Sequence, residues 1–200
     1  MMTLVEAIRP GSAAAFRNRA TTASYAYEVL LVLVGSAVIA LSAWVAIPLP
    51  FSPVPVTGQT FGVLLVGSAL GARRGAASAL AYVAEGASGL PVFAGGAAGP
   101  HILLGPTGGY LAGFVFGAFV CGALAERGWD RRPIPTVGSM VLGNIAILAP
   151  GLIWLSTFVG RGRVLALGLW PFVPGDLVKI ALAASVLPLA WSLLARLRTR

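Results

Sequence analysis

The stretch VLLVLVGSAVIALSAWVAI, Val29 to Ile47, decides the fold class. It holds 19 residues with no charged side chain and no proline, bordered by Glu28 and Pro48. A helix rises about 1.5 Å per residue, so roughly 20 apolar residues cross the hydrocarbon core of a bilayer. The run is continuous rather than alternating, which points to a membrane helix and away from a barrel strand.

Five further segments extend the pattern. Val56 to Ala72 is a shorter candidate, ended by Gly71 and the Arg73–Arg74 pair, and Gly75 to Leu90 is short and contains Glu85. Gly108 to Ala125 is a fourth span. Val137 to Val159 is a fifth, interrupted by Asn144 and Pro150, and Gly175 to Leu194 is a sixth, begun by Pro174. The expected fold is all-α: an integral membrane protein built as a compact bundle of six transmembrane helices over residues 26–200. Residues 1–25 read as a cytoplasmic N-terminal lead-in, with Arg9, Arg17 and Arg19 but without the apolar core of a signal peptide. Composition agrees: 58% of residues are hydrophobic and 10% charged, where a soluble domain carries about 25% charged residues.

The net charge of +8 raises the question of nucleic acid. A nucleic-acid surface gathers its basic residues on one polar face. Here they stand in short groups between apolar runs, as membrane-flanking charge does. With six spans and an inner amino terminus, Arg9, Arg17, Arg19, Arg73, Arg74, Arg127, Arg131, Arg132, Arg196, Arg198 and Arg200 are cytoplasmic. Only Arg161 and Arg163 fall outside, unless that loop is re-entrant. The bias predicts a multi-pass membrane protein with both termini cytoplasmic. Membrane lipid, and not nucleic acid, is the expected surrounding. Cys121 and His101 are the single cysteine and histidine, which removes an intramolecular disulfide and a structural zinc site.

The outer connections, Pro48 to Thr57 and Gly89 to Thr107, carry no Lys, Arg, Asp or Glu and keep Phe51, Phe93 and Ile102. Apolar loops of this kind fold back over the helices, since irregular backbone at membrane depth must be buried in protein or line a cavity. They are expected to cap a ligand site; a packed plug without ligand is the alternative.

Asp176 and Lys179 are three apart, so a helix puts them on one face at its outer end. Charged groups at membrane depth usually face a cavity or one another. The pair could hold a small ligand with a donor-rich end and an anionic end. Equally, Asp176 could cap the helix with Lys179 as its counter-ion. Glu85 either reaches the same cavity or sits at the interface, and His101 reads as a hydrogen-bonded structural residue. Gly105–Pro106–Thr107–Gly108–Gly109–Tyr110 is a glycine-rich turn without the Lys-Ser/Thr ending of a nucleotide loop. It would let backbone approach a ligand, with Tyr110 as a wall. With no nucleotide loop in the chain, ATP-driven transport would need other subunits. Ser36, Ala40, Ser42, Ala43 and Ala46 form a small-residue stripe that docks either a partner subunit or a neighbouring helix.

Four motifs together resemble the BioY family, the biotin-specific S components of energy-coupling factor (ECF) transporters. They are PVPVTGQTF at 53–61, GLPVFAGG at 89–96, LGPTGGYLAGF at 104–114 and PFVPGDLVK at 171–179. The resemblance covers residues 28 to 195 and implies high-affinity capture of one biotin near the outer face. It implies binding roles for Asp176 and Lys179, with Phe93 and Tyr110 as aromatic walls and Gln59, Gly95 and Thr107 as further site residues from the matching motifs. Some family members carry a polar side chain where Gly95 stands, so that hydrogen bond would be missing here. Which end of biotin meets which charge stays open. Biotin is substrate, and no cofactor is implied. The implied partners are an ECF transmembrane coupling protein and two ABC-type ATPases. The competing function is a stand-alone secondary transporter of another small solute, with Glu85 or Asp176 as a proton site. An enzyme is not expected, because no nucleophile can be assembled with a base.

Overall fold

The computed structural model describes residues 3–8 and 22–198. Arg9, Arg17, Arg19 and Arg200, with most of the expected lead-in, lie outside the described residues, as does the side chain of Arg198. In chain order the elements are α1 (Leu4–Ile8), α2 (Thr22–Ala43), β1 (Ala46–Ile47), β2 (Val56–Thr57), α3 (Gln59–Leu70) and α4 (Ala72–Ala87). Then come α5 (Pro100–Leu104), α6 (Gly108–Ala125), α7 (Pro133–Val159), α8 (Val164–Gly168) and α9 (Val173–Arg198). Short 3-10 turns lie at Ala94–Gly96 and Trp129–Arg131.

Among the described residues, four helices are long and apolar enough to cross a membrane: Tyr25–Ala43, Gly108–Ala125, Pro133–Val159 and Val173–Leu197. The second and third expected spans are shorter than that, at 12 residues for α3 and 16 for α4. Such helices rise only about 18 and 24 Å against a hydrocarbon core of about 30 Å. Gly71, at φ +89, separates them without a longer loop. The first span also stops short of Ile47. Ala46 and Ile47 pair antiparallel with Thr57 and Val56 instead. Pro48, Pro50, Pro53 and Pro55 between them cannot continue a helix. By contrast, α7 runs unbroken through Asn144 and Pro150.

Among the four long helices α6 is the most buried and α9 the least. α6 packs against α7, α3 and α4. The approach of α3 to α6 depends on glycine. A Cβ on Gly67 would stand 2.4 Å from the Ala118 carbonyl oxygen, and one on Gly75 would stand 2.6 Å from the Gly67 Cα. Close backbone contact of this kind is how helices associate where lipid removes the hydrophobic drive between them.

The stripe on α2 turns inward. Ser36 is fully buried and donates to Glu85 Oε2 on α4 at 2.5 Å. Ser42 closes on α3, where a Cβ on Gly62 would meet its Oγ at 2.3 Å. Both serines therefore serve neighbouring helices of the same chain, and Ala46 belongs to β1.

The helices alternate in direction, so one end gathers the starts of α2, α4, α7 and the end of α9. Charge concentrates there. Arg74 holds Glu28 with two hydrogen bonds of 2.6 and 2.7 Å, and also meets Glu6 at 3.4 Å. The Ala72 N–H donates to Glu126 at 2.9 Å. Between α6 and α7, Asp130 is 1% exposed and accepts from Trp191 Nε1 at 2.6 Å. Burial pushes this carboxyl up from its ordinary value, against the lowering effect of the Trp191 bond. The Arg131 guanidinium lies 4.5 Å from the Trp191 ring centre.

Candidate ligand-binding site

At the opposite end a cavity of about 400 Å³ opens among the ends of α3, α6 and α9 and the two apolar connections. That size is within the usual range for small-molecule sites, about 300–1,000 Å³. Pro53, Val54, Pro55 and Thr57 line it from the first connection, and Phe93, His101 and Ile102 are among the walls from the second. Both connections are tied down. Ser52 Oγ donates to the Leu167 carbonyl at 2.7 Å, and Trp154 Nε1 to the Gly105 carbonyl at 2.9 Å.

Gln59 stands at the first turn of α3 because the chain leaves the β1–β2 pair one residue earlier, at Gly58. Its Oε1 accepts from Thr57 Oγ1 at 2.9 Å and its Nε2 donates to the Tyr82 hydroxyl. Tyr82 in turn donates to the Val92 carbonyl at 3.0 Å, which fixes the segment carrying Phe93. The Phe93 ring is 1% exposed and lies directly on Gly86, where an added Cβ would come within 2.2 Å. It meets Tyr82 edge to face, with ring centres 5.6 Å apart at 80°. Tyr110 sits in the first turn of α6, after the glycine-rich turn. It donates to the Gly168 carbonyl at 2.9 Å and leans on Phe172 at 6.0 Å. These rings are held from behind, so their positions precede any ligand.

The charged pair lies in the first turns of α9. Lys179 Nζ is 3.1 Å from Asp176 Oδ1 and donates to Thr60 Oγ1 at 2.8 Å. Asp176 is 7% exposed. Because α9 already begins at Val173, Asp176 lies inside the helix, and its backbone N–H donates to the Phe172 carbonyl at 2.8 Å. Its carboxylate meets Lys179, not the helix border that a capping role requires.

The cavity walls thus bring together Gln59, Phe93, Thr107, Tyr110, Asp176 and Lys179. Gly95 is not among them. It turns the chain at φ +67, and an added Cβ would touch nothing within 4 Å. Glu85 is not among them either, being engaged with Ser36. Thr60, which also lines the cavity, was not singled out by the sequence reading. It lies beside Gln59 in the first motif, and a hydroxyl in that motif was the available signal. His101, expected as a hydrogen-bonded structural residue, is exposed on the cavity wall. Arg161 and Arg163 are exposed at this same end, in the turn before α8. No cluster of three or more metal-ligating side chains occurs among the described residues. The arrangement suits a small molecule with an apolar ring body and a hydrogen-bonding end.

Residues 15–196 match the profile of the BioY family. The chain is 40% identical over 164 residues to the biotin transporter BioY of Rhizobium etli, covering 78% of this chain and 88% of that one. It is 43% identical over 152 residues to the biotin transporter BioY of Thermotoga maritima, covering 76% and 88%. Its fold is similar to the crystal structure of the S component for biotin from an ECF-type ABC transporter. That match has a TM-score of 0.72 and 28% identity, over 91% of this chain and 96% of the other.

Proposed function

The chain belongs to the BioY family, and we infer that it is a transport protein of the membrane that captures biotin as the S component of an ECF-type vitamin transporter. The observation that carries the reading to residues is the Asp176–Lys179 pair, with Asp176 buried and Lys179 half-buried in the wall of a largely apolar cavity of about 400 Å³. Charge at such a site must be matched by hydrogen bonds. At 3.1 Å the two groups form one locus, too close together to grip both ends of an extended biotin. The ureido group fits that locus. Its N–H donates to the Asp176 carboxylate and its carbonyl accepts from Lys179, side by side. The ring body packs on Phe93 and Tyr110, while Gln59 and Thr107 complete the polar lining. Gly95 shapes the second connection as a turn.

Six helices cross or enter the membrane within residues 26–200, with α3 and α4 as short members and the apolar connections as an outer cap. The lead-in, 1–25, and both termini are cytoplasmic in the bacterial plasma membrane, supported by the arginine groups between spans and at the end opposite the cavity. A transmembrane coupling protein and two ABC-type ATPases supply the energy that this sequence has no nucleotide loop to harvest.

Calorimetric titration of biotin into detergent-purified protein tests the reading. Saturable one-to-one binding is expected; heat only from a different vitamin would overturn it. Biotin methyl ester tests the orientation. Lys179→Met is expected to weaken ester and free acid alike, whereas a loss confined to the acid would move Lys179 to the carboxylate end.

A further inference from the structure

A second, smaller cavity of about 10 Å³ adjoins the first and shares Thr60, Asp176 and Lys179 with it. Its far wall carries Asn144 of α7, set among apolar neighbours that include Leu64 and Met140. Asn144 is 7% exposed, and its Oδ1 makes no hydrogen bond to any protein group. A buried acceptor left in that state is destabilising, so its persistence calls for a partner. Nearby, the Lys179 ammonium has three N–H donors, and two are directed to Thr60 and Asp176. The third has no acceptor among the described hydrogen bonds, and Lys179 itself lines the smaller cavity. A space of about one water needs roughly 10–15 Å³ and two to four polar partners. The smaller cavity stands at the lower edge of that volume, and Thr60, Asn144, Asp176 and Lys179 are its polar lining.

We propose that Asn144 is a positioning residue of the ligand site: through one water molecule in the smaller cavity, its Oδ1 holds the Lys179 ammonium in place between Thr60 and Asp176. The water accepts from Lys179 and donates to Asn144. The ammonium is then fixed on three sides, which aims the pair at the ligand instead of letting Lys179 swing toward either partner. A direct contact with the ligand is not part of this role, since Asn144 lines only the smaller cavity.

The inference rests on the pair being the biotin site, and a double-mutant cycle separates the two questions. Biotin affinity is measured by calorimetry for the full chain, for Asn144→Leu, for Lys179→Met and for the double variant. Asn144→Leu is expected to weaken biotin about tenfold, the scale of one water-mediated bond to a charged group. In the Lys179→Met background the same change is expected to cost less than about twofold, because its effect runs through the ammonium. A merely structural role for Asn144 would give equal losses in both backgrounds, which overturns the proposal. So would unchanged affinity in Asn144→Leu alone. Asn144→Ser, which keeps a hydroxyl and leaves room for a second water, is expected to bind within about threefold of the unsubstituted chain; if it is as weak as the leucine variant, the proposal also fails. Failure of the unsubstituted chain to bind biotin would defeat the functional reading itself.

Discussion

Asp176 and Lys179 show why a local pattern needs a spatial context. Three positions apart on a helix, they are bound to share a face, yet that alone fits a capped helix as well as a ligand site. The contacts of Lys179 with both Asp176 and Thr60, on a cavity wall, are the setting on which the ligand reading rests. Asp176→Asn removes the anionic acceptor and leaves Lys179 without its counter-ion. Biotin binding is expected to weaken about 10- to 100-fold, the worth of a charge-assisted hydrogen bond. Titration calorimetry reads this directly, and unchanged affinity would return Asp176 to a structural role. At the other end of α9, Asp130 makes a prediction about acid. Its carboxyl is raised by burial, so the folded state holds a proton there that the unfolded chain gives up more readily. Its contribution to stability is fullest below the ordinary aspartate value and is lost as pH rises through the raised folded value. Asp130→Asn keeps an acceptor for Trp191 and removes that dependence. Thermal unfolding followed from acidic to neutral pH should therefore fall less steeply for the variant; parallel curves would refute it.

At the scale of elements, glycines decide how near two surfaces come, and the consequences differ by location. Gly67 brings the α3 backbone against Ala118 of α6. Gly67→Ala has backbone to displace, not a flexible side chain, and overpacking of this kind costs about 1–3 kcal/mol. A lowered unfolding temperature for the ligand-free protein is the expected result. Gly86 instead accommodates the Phe93 ring. Gly86→Ala favours α4 by helix propensity but pushes Phe93 from its seat. Biotin affinity should drop while helical content by circular dichroism stays intact; retained affinity would show that the ring is not part of the site. The connections were legible as apolar and charge-free, but their internal structure was not. The 3-10 turn at Ala94–Gly96, α5 and α8 are each too short to carry a periodic signal. The end of α5 is held by a hydrogen bond from distant Trp154 to Gly105, and α8 by those of Ser52 to Leu167 and Tyr110 to Gly168.

For the whole molecule, binding and folding are linked. Biotin at a hundredfold excess over its Kd should stabilise the protein by about 2.7 kcal/mol, read as a raised unfolding temperature in detergent. No shift with biotin alongside a shift with another vitamin would remove the substrate assignment. Sequence alone determined the helical membrane class and the chemistry available to the site. Uninterrupted apolar length and residue type are local properties, visible without neighbours. The four motifs around Gln59, Phe93, Tyr110 and Asp176 also identified the family before any contact was known. The ends of the fourth span, Gly108 and Ala125, were legible, and the end of α2 was not. The β1–β2 pairing that shortens α2 depends on a partner outside the segment, whereas the Gly71 break between α3 and α4 was visible as a glycine before the arginine pair. Only the tertiary structure decided that Gly95 and Glu85 stand apart from the cavity and that Thr60, His101 and Asn144 lie beside it. Cavity walls are assembled from chain separated by more than a hundred residues, so membership depends on how helices pack and not on what precedes or follows a residue.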